Sequence, residues 1–244
     1  MVKKLLLNRL VLGVFIMSIA SSCHSMTKLG GQTIHESFSE QKVVSLVKAA
    51  VAGDVGQVAM LATRGANVNA IGSNGATPLF WALNARSHNG VEALLHAGAD
   101  PNLLTTKIGY SPMYFVAMGD DSELLRLLLR FGGNPNHPGQ GAIEDRPLTQ
   151  AAAKGRIENL RLLLAAGADV NAHDSYDETA VTNAIGLAKF EAVAFMLEHG
   201  YDYKLESLAR RVKIRRVRPE SDAQFWKEKV LVMLKDRGVS ISSQ

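Results

Sequence analysis

The chain has 244 residues, 47% of them hydrophobic, and a formal charge of +4. That length suits one sizeable domain or one repeat array, and the single cysteine, Cys23, excludes an internal disulfide as a source of stability. The charge is unevenly spread: Cys23 to Tyr203 holds 13 basic and 18 acidic residues, net −5, whereas Lys204 to Gln244 holds 11 basic and 5 acidic, net +6.

Lys3, Lys4 and Arg9 precede an apolar run, Leu10 to Ala20, which ends in the small residues Ala20-Ser21-Ser22 before Cys23. This is the layout of a secretory signal peptide over residues 1–22. The run is too short for a spanning helix, which needs about 20 apolar residues. The stretch "IASSC" resembles the lipobox of bacterial lipoproteins, with Ala20 where leucine is usual. The resemblance implies cleavage before Cys23 and fatty acylation there, with palmitate among the chains. His24 and Ser25 stand where an aspartate commonly retains such proteins in the inner membrane. The expected location is therefore the periplasmic side of the envelope, on the outer membrane. An exported protein rarely meets nucleic acid, so the basic tail is expected to face an acidic protein or anionic lipid headgroups. Residues 23–40 are polar and glycine-containing and read as a tether.

From residue 41 the sequence repeats itself. "ANVNA", "ADPNL", "GNPNH" and "ADVNA" place asparagine at Asn69, Asn102, Asn136 and Asn171, at steps of 33, 34 and 35 residues. A second series, "TPLFWA", "SPMYFVA", "RPLTQAA" and "TAVTNAI", begins at Thr77, Ser111, Arg146 and Thr179. Each start lies 21 residues before a glycine: Gly98, Gly132, Gly167 and Gly200. Length varies only in the connections, as it does where helices are fixed and loops tolerate change. Thr77 and Ser111 have hydroxyls that cap a helix, with Pro78 and Pro112 at its first position. Apolar runs at helical spacing follow, such as "LLRLLLRFG" and "ENLRLLLAAG", and each closes on glycine, which takes the left-handed conformation cheaply. The unit is helix, turn, helix and extended loop.

These segments closely resemble ankyrin repeats, whose consensus has TPLH at the first helix and GADVN after the second. The resemblance implies an all-α ankyrin-repeat solenoid of five to six helix-turn-helix units with extended loops. Five repeats are read at 41–70, 71–103, 104–137, 138–172 and 173–204. Residues 205–244 read as a basic helical cap or a modified sixth repeat. The first repeat has "VSLV" in place of TPLH, and the fifth has Ala180 for proline and ends in "YDYK"; terminal repeats of a solenoid are often degenerate. The consensus histidine is replaced by Phe80, Tyr114, Thr149 and Thr182, so its hydrogen bonds are not expected here.

Enzyme motifs are absent from the sequence: there is no GxSxG, GxxxxGK[ST], HExxH or GxGxxG. Seven scattered histidines have no carboxylate or cysteine partner at metal-ligand spacing, so no metal, no cofactor and no enzymatic activity is expected. His96 and His199 read as polar groups near helix carboxyl ends. The glycine-rich stretch Gly132 to Asp145 reads as a repeat loop and not a phosphate cradle.

Ankyrin arrays bind proteins on the concave face of loop tips and first helices, and the 21-residue frame places candidates on it. These are Trp81 and Asn84, then Lys107, Tyr110, Phe115 and Met118, then Gln150, then Tyr176. Ser73, Asn74, Lys154, Glu178, Asn183 and Leu187 share the frame. Phe80 and Tyr114 read as packing between repeats, whereas Trp81 and Phe115 read as binding aromatics. Arg210, Arg211, Lys213, Arg215, Arg216 and Arg218 form the basic tail. The expected function is an anchored periplasmic protein-binder. Its sharper form is an immunity protein that neutralises a toxic effector such as a type VI secreted lipase; the alternative is a housekeeping scaffold for an envelope enzyme or stress defence.

Overall fold

In a computed structural model of the chain, residues 28–105, 110–137, 139 and 146–240 are described. The chain opens with an antiparallel hairpin, β1 (Lys28–Leu29) and β2 (Gln32–Thr33), turned through Gly30 and Gly31 at positive φ. A single helical turn, α1 (Ile34–Ser37), follows, fixed by a reciprocal capping box between Thr33 and Glu36. Thr33's backbone N–H and hydroxyl hold the Glu36 carboxyl below its ordinary pKa.

Six helix pairs come next: α2 (Gln41–Ala52) with α3 (Val55–Thr63), and α4 (Pro78–Asn84) with α5 (His88–His96). Then come α6 (Pro112–Met118) with α7 (Ser122–Arg130), and α8 (Pro147–Lys154) with α9 (Ile157–Ala165). The last two pairs are α10 (Ala180–Gly186) with α11 (Phe190–Glu198), and α12 (Leu205–Ile214) with α13 (Asp222–Asp236).

The local chemistry explains these boundaries. The hydroxyls of Thr77 and Ser111 accept from the N–H groups of Phe80 and Tyr114, at 3.2 and 3.1 Å. Pro78, Pro112 and Pro147 occupy first turns, where no N–H is needed. Asp54, Ser87 and Asp121 cap second helices the same way. After each second helix the chain reverses through a glycine with φ near +90°, as at Gly98 (91°) and Gly167 (88°), where a side chain would be strained.

First helices stack on first helices and second on second along the whole array. One continuous apolar core results, running from Leu46 to Val239. The tail obeys the same rule: α12 packs on α10, α13 packs on α11, and the two pack on each other. Residues 205–240 are therefore a sixth helix pair in the stack. Arg237 secures it by donating from α13 to the carbonyls of Tyr201 (2.8 Å) and Leu197.

The repeating asparagines are inter-repeat clamps. Asn69 Nδ2 donates to Gly98 O at 3.0 Å while its Oδ1 accepts from Asp100 N at 2.8 Å. Asn102 does the same to Gly132 O (3.0 Å) and Asn134 N (2.7 Å). Asn136 reaches Gly167 O and Asp169 N, both at 2.8 Å. Asn171 reaches Gly200 O (3.3 Å) and Asp202 N (3.0 Å). The residue two positions earlier, Asn67, Asp100, Asn134 or Asp169, accepts from the clamp residue's own N–H and presets its backbone. Only an amide side chain offers a donor and an acceptor at this reach. Asn102→Ala removes both bonds from a partly wet site and is expected to cost about 1–2 kcal/mol, measurable as a lower urea midpoint.

One expectation fails at the amino end. Residues 28–40, read as tether, are folded onto the array. Ser73 N donates to Ser37 O (2.7 Å), Ser73 Oγ to Gln32 and Glu36 O (both 3.0 Å), and Asn74 Nδ2 to Leu29 O (3.1 Å). Beneath these bonds Phe38 packs with Val43, Val44, Val47, Ala76, Phe80 and Trp81. Polarity suggested a tether, but Thr33, Glu36 and Ser37 bond within the segment while its carbonyls accept from the neighbouring loop. The portion around Cys23 lies outside the described residues, and so does the signal segment.

Candidate protein-binding face

Equivalent positions on the first helices form a row, Trp81, Phe115, Gln150 and Asn183, and the structure treats its members differently. Trp81 is only 1% exposed. It is a core residue, contrary to the sequence expectation, because the hairpin, α1 and α2 build the small apolar cluster that encloses it. Its buried indole N–H has no acceptor among the described residues. Phe80 is buried, as expected, and its ring lies 4.9 Å from Phe115. Phe115 is half-buried and bridges the amino-terminal cluster and the main core. Tyr110 is partly exposed, and its ring stacks at 4.1 Å on Tyr114. Thr105 holds Tyr110, its hydroxyl donating to Tyr110 O (2.9 Å) and accepting from Tyr110 N (3.1 Å).

Farther along, Asn84, Met118, Gln150 and Asn183 are partly exposed, Lys154 is exposed, and Leu187 is 53% exposed. Tyr176 is 82% exposed at a loop tip. Lys107 lies outside the described residues. Asn74, by contrast, is a structural group bonded to Leu29. The accessible part of the face therefore runs from Asn84 in the second unit to the fifth, and its aromatic portion begins at Tyr110 and Phe115. Phe115, Tyr110 and Met118 remain grouped there as a half-open apolar patch, beside the polar Gln150 and Asn183.

The consensus-histidine positions have separate local solutions. Tyr114 stacks, Thr182 shares a capping box with Thr179, and Thr149 is buried with no hydroxyl partner among the described residues. At the fifth loop Asp177 accepts from Tyr203 Oη and Lys204 Nζ, both at 2.6 Å. Those partners, Lys204 first, hold its carboxyl below the usual carboxylate range. In the tail, Arg211 makes a two-pronged contact with Glu178 at 2.9 and 3.2 Å. It is thus a docking residue of the sixth pair, while Arg210, Lys213, Arg215, Arg216 and Arg218 are exposed. No group of three or more His, Cys, Asp or Glu residues that could hold a metal occurs among the described residues.

The ankyrin-repeat family model in its three-copy form matches residues 112–207, and the single-repeat model matches residues 74–106. Together they span more than half of the sequence. The chain belongs to the ankyrin-repeat family.

Relatives of this ankyrin array are varied. It is 36% identical over 144 residues to Protein PhlB of Serratia liquefaciens, covering 58% of this chain and 61% of that one. It is 36% identical over 86 residues to the cyclin-dependent kinase 4 inhibitor B of Mus musculus, covering 35% of this chain and 64% of the inhibitor. A putative ankyrin repeat protein, L371, of Acanthamoeba polyphaga mimivirus is 28% identical over 99 residues, covering 41% and 13%. The chain thus spans less than two thirds of each of these three. Ankyrin repeats are protein-interaction scaffolds, and the family is typically non-enzymatic.

Sequence reasoning missed Asn159, which sits in an apolar register yet is buried and donates to Val116 O (3.3 Å), Ala117 O (2.9 Å) and Gly119 O (3.1 Å). A polar residue in the run "IENLRLLL" was the available signal. It also missed Ile214, Phe225 and Val232, large apolar side chains exposed on the sixth pair.

Proposed function

We propose that this ankyrin array is a membrane-anchored periplasmic inhibitor, an immunity protein that covers and neutralises a toxic effector such as a type VI secreted lipase. The observation that carries the reading is the partly open patch of Tyr110, Phe115 and Met118, flanked by Gln150 and Asn183 on successive first helices. Aromatic and methionine side chains with a polar flank are the composition of an interface centre. The rigid stack presents them with little ordering cost. The lipobox-like "IASSC" supports an anchor at Cys23 on the periplasmic side, which raises the local concentration of an inhibitor where a toxin arrives. Similarity to a bacterial chain, PhlB, and to a protein named as a kinase inhibitor is in keeping with an inhibitory array.

The test is a pull-down of the tagged, detergent-solubilised protein from its own cells, beside Phe115→Ala and Tyr110→Ala variants. One stoichiometric secreted hydrolase or toxin, inhibited on binding and lost from the Phe115→Ala sample, is the expected result. Each substitution at the patch centre is expected to weaken binding by about 2 kcal/mol, roughly thirtyfold. Recovery of a resident envelope enzyme instead would replace this reading with a housekeeping scaffold. Globomycin-type block of signal processing is expected to leave Cys23 unprocessed if the anchor reading holds.

A further inference from the structure

The ion pairs among the described residues leave one cluster of arginines without carboxylates. Along the stack, four arginines are matched to carboxylates on the same or a neighbouring unit: Arg86 with Asp120, Arg130 with Glu92, Arg126 and Arg161 with Glu158; Arg64, Arg146 and Arg156 stand singly and form no ion pair among the described residues. In the tail Arg211 is matched to Glu178 and Lys229 to Glu198. Arg210, Arg215, Arg216 and Arg218 form no ion pair among the described residues, and every titratable side chain from 210 to 218 is basic.

Three of these arginines lie on the segment joining α12 to α13, and the fold holds that segment in place. Val217 packs on the main core, Ser221 Oγ donates to Arg218 O at 2.5 Å, and Lys227 Nζ donates to Lys213 O (3.1 Å) and Arg215 O (2.6 Å). The Lys227 bonds bring the first turns of α13 against the end of α12. Two large apolar side chains therefore flank the cations: Ile214, 77% exposed, on the last residue of α12, and Phe225, 63% exposed, on the first turn of α13. Val55, Ile71, Tyr176, Leu187 and Val232 are exposed as well, but none of them lies beside such a run of cations.

We propose that this turn of the sixth helix pair docks on an anionic lipid surface. Guanidiniums at phosphate level with an aliphatic and an aromatic side chain beside them are the elements of an interfacial membrane contact. A protruding turn suits a flat, fluid surface, which needs no matching groove. The charge distribution favours this end of the molecule, because the stretch from Cys23 to Tyr203 is net −5 and is repelled by the same surface. The contact is independent of any anchor at Cys23.

The test uses residues 24–244, which keep every described element of the fold, so that neither signal nor lipid contributes. Sedimentation with vesicles of phosphatidylglycerol and phosphatidylcholine is compared with vesicles of phosphatidylcholine alone. The expected result is binding to the anionic vesicles only, reversed by high salt. Arg215→Ala/Arg216→Ala/Arg218→Ala is expected to lower the partition coefficient about a hundredfold. Phe225→Ser is expected to lower it about tenfold. The charge-preserving Arg215→Lys/Arg216→Lys/Arg218→Lys variant should still bind, which separates loss of charge from loss of fold. Equal affinity for both vesicle types, retained binding by the alanine variant, or capture of soluble polyglutamate without vesicle binding would overturn the proposal, the last in favour of an acidic protein.

Discussion

Gly90→Ala is expected to detach the first helix pair from the rest of the array. A Cβ at Gly90 would lie 1.8 Å from Ala50 O and 2.6 Å from Ala50 C, both backbone atoms at the end of α2, and 2.7 Å from Ser87 Oγ. None of the backbone can swing aside as a side-chain tip would. The helix must therefore retreat, which also breaks the 2.8 Å bond from Ser87 Oγ to Ala50 O. Alanine returns about 1 kcal/mol of helix propensity relative to glycine. Overpacking costs about 1–3 kcal/mol or more, and the lost bond about 1 more. The net loss is expected to be about 3 kcal/mol. In a nearest-neighbour stack that loss is local. Hydrogen exchange should rise sharply in α2 and α3 while α8 to α13 keep their protection; uniform loss along the chain, or none, would refute the close-approach argument. Gly56, also helical, has only the Asp54 carboxylate tip within reach of its Cβ, at 3.7 Å, so Gly56→Ala is the matched control.

Asn159→Leu is expected to lose about 2–3 kcal/mol, although a comparison of repeats would call it harmless. The equivalent residue in the preceding unit is Leu124, which is buried in the core. The difference lies in how α6 ends. The first helices α2, α4, α8 and α10 finish through a residue at positive φ, with two backbone bonds closing the last turn. Gly53 (φ 74°) and Asp54 close α2, Gly155 (66°) and Arg156 close α8, and Ala188 (56°) and Lys189 close α10. At α6 the corresponding stretch is Gly119-Asp120-Asp121; Gly119 is extended, and its N–H to Val116 O is the backbone bond that closes the turn. The remaining carbonyls, Ala117 O and Gly119 O, are served from the next unit by Asn159 Nδ2, with a longer contact to Val116 O, and Arg156 Nε reaches Met118 O at 3.4 Å. Leucine fills the space but leaves those carbonyls dry, and buried unsatisfied acceptors are costly. A thermal melt that drops for Asn159→Leu and recovers part of the loss in Asn159→Gln would support this reading. An unchanged melt for leucine would mean that water replaces the amide.

Much of the fold was legible because a repeat states its chemistry several times over. The asparagines, the glycines and the Thr-Pro and Ser-Pro starts marked the units, since each performs one local task that few other residues perform. What stayed hidden was the task that crosses units. Asn102 reads as a loop marker until its two bonds to the next turn are seen. The binding face was less legible. The 21-residue frame assigned Trp81 to the open row correctly as a position, but openness at an end unit depends on what caps it. Residues 28–40 supply that cap through bonds to the loop at Ser73 and Asn74, which no periodicity encodes. Phe115, one unit farther in, escapes that cover and remains partly open. In the tail, the basic run hid one docking residue, Arg211, among exposed neighbours, because only its register opposite Glu178 distinguishes it.

The asparagine clamps lie on one edge of the stack, at the loops that follow the second helices. The opposite edge, at the turns inside each pair, is joined by contacts that differ from pair to pair, such as Ser87 to Ala50 and Asn159 to α6. A column riveted along one side and unevenly latched along the other behaves as a leaf spring. It flexes by opening the latched side, and under tension it surrenders one pair at a time from an end. The mechanical signature would be a sawtooth of small, similar force steps, with the larger steps where Gly90 or Asn159 fastens the latched edge.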